Sequence, residues 1–140
     1  MDQEVTVMAQ GTFDIIHPGH IDYLEKSSQL GDKLIVIVSR DSRLDRKLAL
    51  NEKERKEVLQ NLEMTDQVIL GSEEDIFETL ELVKPDTITL GHDQDHNKEY
   101  VKKMAEETLQ RPVKVKRIKS TKETLSSSKI KERLIQQKEN

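Results

Sequence analysis

The sequence predicts a single doubly wound α/β domain over residues 1–140, built on a five-stranded parallel sheet of order 3-2-1-4-5 with helices on both faces. Three observations carry this reading. Strand-type and helix-type segments alternate from end to end, the pattern of a parallel sheet whose crossovers are helices. The run from Lys33 to Ser39 (KLIVIVS) is almost continuously apolar and β-branched, as a central strand covered on both sides must be. Finally, a glycine-bearing stretch from Gln10 to His20 joins the first strand to the first helix, the arrangement that holds a phosphate in such folds.

Strands are expected at about residues 4–10, 33–39, 66–70, 86–90 and 113–118, and helices at about 18–30, 51–62, 74–83, 97–109 and 126–137. After the first strand, Gly11 lets the backbone turn sharply, Pro18 opens the first helix where its missing N–H costs little, and Gly19 leaves the backbone bare for close approach. Gly31-Asp32 reads as the close of that helix. Asn51 is an N-cap with Glu52 and Glu54 in the first turn, where negative charge suits the helix dipole. Ser72 or Glu73 opens the third helix, whose Ile76, Leu80 and Val83 recur at core-facing spacing until Pro85 ends it. The hydroxyl run Ser126-Ser127-Ser128 precedes the last helix, with Ile130 and Leu134 expected to face inward.

Composition narrows the class. At 140 residues, one domain buries roughly two thirds of its unfolded surface. Twenty-three basic against twenty-seven acidic side chains give a net charge of −4, which disfavours nonspecific nucleic-acid binding as a main role. The absence of cysteine excludes disulfides, zinc-thiolate sites and thiol catalysis. The acidic start, Met1-Asp2-Gln3-Glu4, is unlike a signal peptide, and no apolar run approaches the ~20 residues that cross a bilayer. A cytoplasmic protein without membrane or nucleic-acid partners is expected.

All four histidines fall in two clusters, His17 with His20 after the first strand and His92 with His96 after the fourth. In the expected strand order these strands are neighbours, and both clusters face the crevice where chain order reverses. Two imidazoles beside a helix N-terminus can donate to oxygens whose charge grows in a transition state; equally, they can satisfy local backbone groups. The loop Gly91-His92-Asp93-Gln94-Asp95-His96 offers a carboxylate for a ribose hydroxyl or base amine, or is a polar turn. His17, His20, His92, Asp93, Asp95 and His96 are poor evidence for a zinc site; Mg²⁺ held by nucleotide phosphates, with Asp14 assisting through water, fits the residues better. The sign-alternating segment Arg40 to Lys47 leaves the carboxyl end of a central strand, so its cations are either solvated or able to reach a phosphate.

Gly11-Thr12-Phe13-Asp14 followed by His17-Pro18-Gly19-His20 resembles the HxGH nucleotidyltransferases, and within them the small cytidylyltransferase-like group that contains glycerol-3-phosphate cytidylyltransferase and the archaeal FAD synthases. The resemblance extends over nearly the whole chain. It implies that His17, His20 and Lys47 are catalytic. It further implies that Gly11, Thr12, Phe13, Pro18, Gly19, Gly91, Asp93, Ser126, Ser127 and Ser128 join the two histidines in holding the nucleotide, and that Asp14, Lys47 and Arg55 serve the substrate phosphate. Gly91-His92-Asp93-Gln94 looks like the FAD synthases. Leu125-Ser126-Ser127-Ser128 stands for the family's Ile-Ser-Thr-Thr, and an arginine that the cytidylyltransferases place upstream falls at Thr121, so that this cation is either missing or replaced by Lys119 or Lys122. By this resemblance the expected reaction transfers AMP from ATP to FMN with Mg²⁺, giving FAD and pyrophosphate, in a homodimeric enzyme. The alternatives are a CTP-dependent enzyme acting on glycerol-3-phosphate or a related polyol phosphate, and a non-catalytic nucleotide-binding module.

Overall fold

A computed structural model describes residues 3–44, 47–73, 77–91, 96–119 and 127–139. Strands β1 (Thr6–Gly11), β2 (Lys33–Val38), β3 (Gln67–Leu70), β4 (Thr87–Gly91) and β5 (Lys114–Ile118) form one parallel sheet of order β3-β2-β1-β4-β5, as the sequence predicts. Helices α1 (Pro18–Ser28), α2 (Glu52–Gln60), α3 (Glu78–Val83), α4 (Lys98–Leu109) and α5 (Ser127–Glu139) alternate with them, and a short 3₁₀ turn covers Asp41–Arg43.

The period-2 geometry of the strands divides the core in two. Val7, Ala9, Leu34, Val36 and Val38 pack on one face with Leu24 of α1 and Leu59 of α2. Met8, Ile35, Ile37, Ile88 and Leu90 pack on the other with Leu80 of α3 and Val101 and Ala105 of α4. Three aspartates immediately before strands pin the amino-terminal edge of the sheet. Asp32 accepts from the Val5 amide (2.8 Å), Asp66 from Leu34 (2.7 Å) and Asp86 from Thr6 (2.8 Å), so each carboxylate satisfies the opening donor of a neighbouring strand.

Helix starts follow the expected chemistry. Pro18 lies in the first turn of α1, and Asn51 caps α2 in a reciprocal box with Glu54. Three expectations are corrected. Helix α1 ends at Ser28 with Gln29 as its cap, and Gly31 is required for closeness instead, since a Cβ there would lie 2.7 Å from the Val5 carbonyl oxygen. The third helix opens at Glu78, with the Ser72 hydroxyl bonded to the Glu78 carboxylate; Ile76 is outside the described residues. Leu134 of α5 is 58% exposed and its neighbour Ile135 57%, so of the two residues expected to face inward only Ile130 is half-buried.

The four strand pairings differ in length, and this creates the cleft. The β1–β2 ladder runs for six residue pairs and the β4–β5 ladder for five. Between β1 and β4 it stops after Val7↔Thr87 and Met8↔Ile88, although both strands continue for three more residues. The carboxyl ends of the two central strands therefore part at the point where chain order reverses, which is where ligands bind in doubly wound sheets.

Candidate active site

The chain leaves β1 into this opening. Gly11 is still extended, and the left-handed residue is Phe13, with φ 54°. For a bulky side chain this conformation costs on the order of 1 kcal/mol and persists where the surroundings impose it. The Phe13 ring is buried and packs directly over Gly11, where a Cβ would lie 2.9 Å from two of its ring atoms. Gly11 is thus present to admit that ring, and Phe13 makes the turn.

His17 caps α1. Its Nδ1 accepts the Gly19 N–H at 3.1 Å, so the helix-start amide expected to face an anion is held by the imidazole. With Nδ1 accepting, the neutral ring carries its proton on Nε2 as a donor. One turn later, His20 stacks on His17 with ring centroids 3.9 Å apart and meets Phe13 edge-on at 5.3 Å; Phe13 in turn stacks on Tyr23 at 6.5 Å. The two histidines head a column of four rings descending from the cleft into the core.

Asp14 and Arg55 are both buried and bonded within the protein. Asp14 is 2% exposed, and its carboxylate accepts from the amides of Ala49 (3.0 Å) and Leu50 (2.9 Å) and from the Lys131 ammonium of α5. Arg55 is 0% exposed. Its guanidinium donates to the Thr12 carbonyl (2.7 Å), the Leu50 carbonyl (3.2 Å) and the Asp41 carboxylate (2.6 Å). Both side chains therefore fasten the Gly11–Asp14 loop to the segment between Asp41 and Glu52. The reciprocal bonds of Asp41 and Glu52, each accepting the other's amide at 3.0 and 2.9 Å, close the neck of that segment. Lys47 stands exposed on it, two residues from the Ala49 amide that Asp14 holds.

Burial would push the Asp14 carboxyl up, but the Lys131 ammonium and the two amides outweigh this and hold it below the ordinary carboxylate value. Asp41 is lowered as well, chiefly by the Glu52 amide, with Arg55 adding to the effect against partial burial. A depressed carboxylate stabilises the fold above its unfolded pKa of about 4, and the contribution is lost as pH falls through the folded value. Asp14→Asn should therefore lower the melting temperature most above about pH 5, and the gap to the natural protein should narrow as a thermal series descends toward about pH 3. A gap independent of pH would show that the Asp14 charge adds no stability.

On the β4 side, Arg117 of β5 donates to the Gly91 carbonyl at 2.7 Å and to the His96 carbonyl, joining the two flanks of the loop after β4. His92, Asp93, Gln94 and Asp95 lie outside the described residues, as do Thr121, Lys122 and Ser126; of Ser127 and Ser128 only the helical backbone is described. Lys119 is exposed, and its carbonyl accepts from Lys26 at 2.8 Å. Gly91 and Gly11 end the two parted strands on the same edge of the sheet. The sequence reading missed Tyr23, Arg117 and Lys131. For Lys131 a signal existed: α5 begins with Lys129 and Lys131 and has no acid in its first turn, against the helix dipole, which points to a partner outside the helix.

Parted central strands, a histidine-capped helix and a second imidazole stacked above them define a nucleotidyltransferase of the doubly wound α/β class. The family model described as cytidylyltransferase-like matches residues 8–133, and the chain belongs to that family. Among curated relatives, a protein named FAD synthase from Ferroglobus placidus is 44% identical over 92% of this chain and 87% of its own length. Proteins of the same name from Picrophilus torridus and Methanothermus fervidus are 43% and 49% identical over 93% and 84% of this chain, and 96% and 84% of their own lengths. A solved structure described as a lipopolysaccharide core biosynthesis protein from Thermoplasma volcanium aligns with a TM-score of 0.79 at 41% identity, covering 84% of this chain and 98% of that one. A pantoate-beta-alanine ligase from Francisella tularensis shares the fold at TM-score 0.60 and 15% identity, covering 94% of this chain and 69% of its own.

Proposed function

We infer that this protein is an FMN adenylyltransferase, forming FAD and pyrophosphate from FMN and ATP. The observation that carries the reading is the stacked His17–His20 pair at the start of α1, above the parted ends of β1 and β4. The FAD synthase relatives, similar over most of the chain, support the choice of ATP and FMN.

A terminal phosphate oxygen of FMN, already anionic at neutral pH, attacks the α-phosphorus of ATP in line. The bond from that phosphorus to the bridging β-oxygen breaks, and pyrophosphate leaves with the electron pair. No protein nucleophile and no general base are needed, so catalysis is alignment and charge neutralisation. His17, with its proton on Nε2, and His20 beside it donate to the α- and β-phosphate oxygens as charge shifts toward the leaving group. Lys47 neutralises the incoming FMN phosphate, carried on a segment that Asp14 and Arg55 tie to the histidine loop. Gly91, and Asp93 beyond it, border the nucleoside from the β4 side, and the start of α5 with Ser126, Ser127 and Ser128 takes the outer phosphates.

Among the described residues no group of three or more His, Asp or Glu side chains is placed to hold a metal, and both Asp14 oxygens are occupied. A divalent cation such as Mg²⁺, carried by the triphosphate, would supply charge neutralisation for the leaving pyrophosphate. No described helix is long and apolar enough to cross a membrane. The test is to offer ATP or CTP against FMN or glycerol-3-phosphate and follow both pyrophosphate and the flavin product. FAD formed from ATP and FMN is the expected result; CDP-glycerol from CTP and glycerol-3-phosphate would overturn the assignment.

A further inference from the structure

The β1–β4 ladder breaks off at Met8↔Ile88, and a side chain stands in the break. In a parallel ladder of this register the next rung joins the Gln10 N–H to the Thr89 carbonyl. Both groups instead meet the hydroxyl of Tyr23, which accepts from Gln10 at 3.4 Å and donates to the Thr89 carbonyl at 2.9 Å. The same oxygen accepts from the Thr89 hydroxyl at 3.2 Å, and that hydroxyl lies 2.8 Å from Ser27 Oγ. A phenol has one donor and two acceptor positions, and all three are taken. Tyr23, Ser27 and Thr89 are buried, so the arrangement is a built part of the core, and the other end of Tyr23 stacks under Phe13, which meets His20 edge-on.

We propose that Tyr23 is a positioning residue for adenylyl transfer: its hydroxyl is wedged between β1 and β4 as a substitute rung that keeps the nucleotide crevice open, and its ring supports the Phe13–His20–His17 column. The proposal rests on the function inferred above. A direct rung would draw the two backbones to the ordinary ladder spacing of about 4.8 Å and narrow the cleft at its floor. The interposed hydroxyl prevents this while pairing both the Gln10 N–H and the Thr89 carbonyl. The ring, meanwhile, sets the height at which His20 stands above the strand ends.

The two roles separate by substitution. Tyr23→Phe keeps the ring and removes the rung, whereas Tyr23→Leu removes both. For the Phe variant, KM for ATP should rise roughly tenfold with kcat within about threefold of the natural protein. For the Leu variant, kcat should fall by a further tenfold or so because His20 loses its support. Circular dichroism and gel filtration establish that each variant is folded. Folded variants with unchanged KM and kcat, or with the same loss in both parameters in both variants, would overturn the proposal. If Tyr23→Phe fails to fold, Thr89→Val, which deletes the hydroxyl donated to Tyr23, should raise KM for ATP in the same direction, and an unchanged KM would overturn it. Direct ATP titration separates this inference from the functional one. Natural protein that binds ATP yet forms no FAD sinks the functional reading alone, and a roughly tenfold weaker ATP affinity in the Phe variant still decides the wedge. Natural protein that does not bind ATP sinks both.

Discussion

His17→Asn is expected to lower turnover by about 100-fold or more while leaving the fold in place, since one donor aimed at developing charge typically contributes that much. Asparagine is the informative replacement because His17 does two things. Its Nδ1 caps α1 by accepting the Gly19 amide, and its other nitrogen is the one we propose as the donor to the phosphate. An asparagine carbonyl is itself a preferred N-cap and preserves the first role at a cost below about 1 kcal/mol, whereas alanine would remove both roles at once. Turnover within a few fold of normal, measured as pyrophosphate release in a variant with an unchanged melting temperature, would remove His17 from the chemistry.

The second large effect concerns stability. Arg55→Met should destabilise the protein by about 3 kcal/mol, a fall in melting temperature of roughly 10 °C for a chain of this size. The reason is that the guanidinium is wholly buried and bonds two backbone carbonyls and a carboxylate drawn from the Thr12 loop and the stretch from Asp41 to Leu50, and methionine fills the volume but bonds none of them. Arg55→Lys should recover only part of the loss, because a single ammonium cannot span the three acceptors that the planar fork reaches. A Met variant as stable as the natural protein, with only its KM for FMN raised, would instead support the substrate-phosphate role that the sequence resemblance implies for Arg55.

Arg55 illustrates where sequence reading stops. Its position in the Glu-Lys-Glu-Arg-Lys segment fits both a phosphate ligand and an ion pair, and neither spacing nor composition distinguishes them. The difference lies in what surrounds the residue, namely a loop forty-three positions away whose Thr12 carbonyl needs a donor. Asp14 is similar, since its ammonium partner is 117 residues distant. Tyr23 falls at helix spacing on the buried side of α1 and reads as ordinary core; that its hydroxyl replaces a strand rung depends on a ladder that stops early.

Local rules carried much of the rest. Strand order, the Pro18 and Asn51 helix starts and the placing of His17 and His20 after the first strand follow from periodicity, capping chemistry and connection rules, which act over a few residues or on the handedness of successive units. Those rules are written in residue order, and so the alternation and the motif were sufficient to predict the fold and to draw the eye to His17 and His20. The width of the cleft, the burial of Asp14 and Arg55 and the outward face of α5 arise from contacts between segments far apart in the chain. Such contacts depend on which donors and acceptors folding leaves without a local partner, and only the assembled structure reveals those.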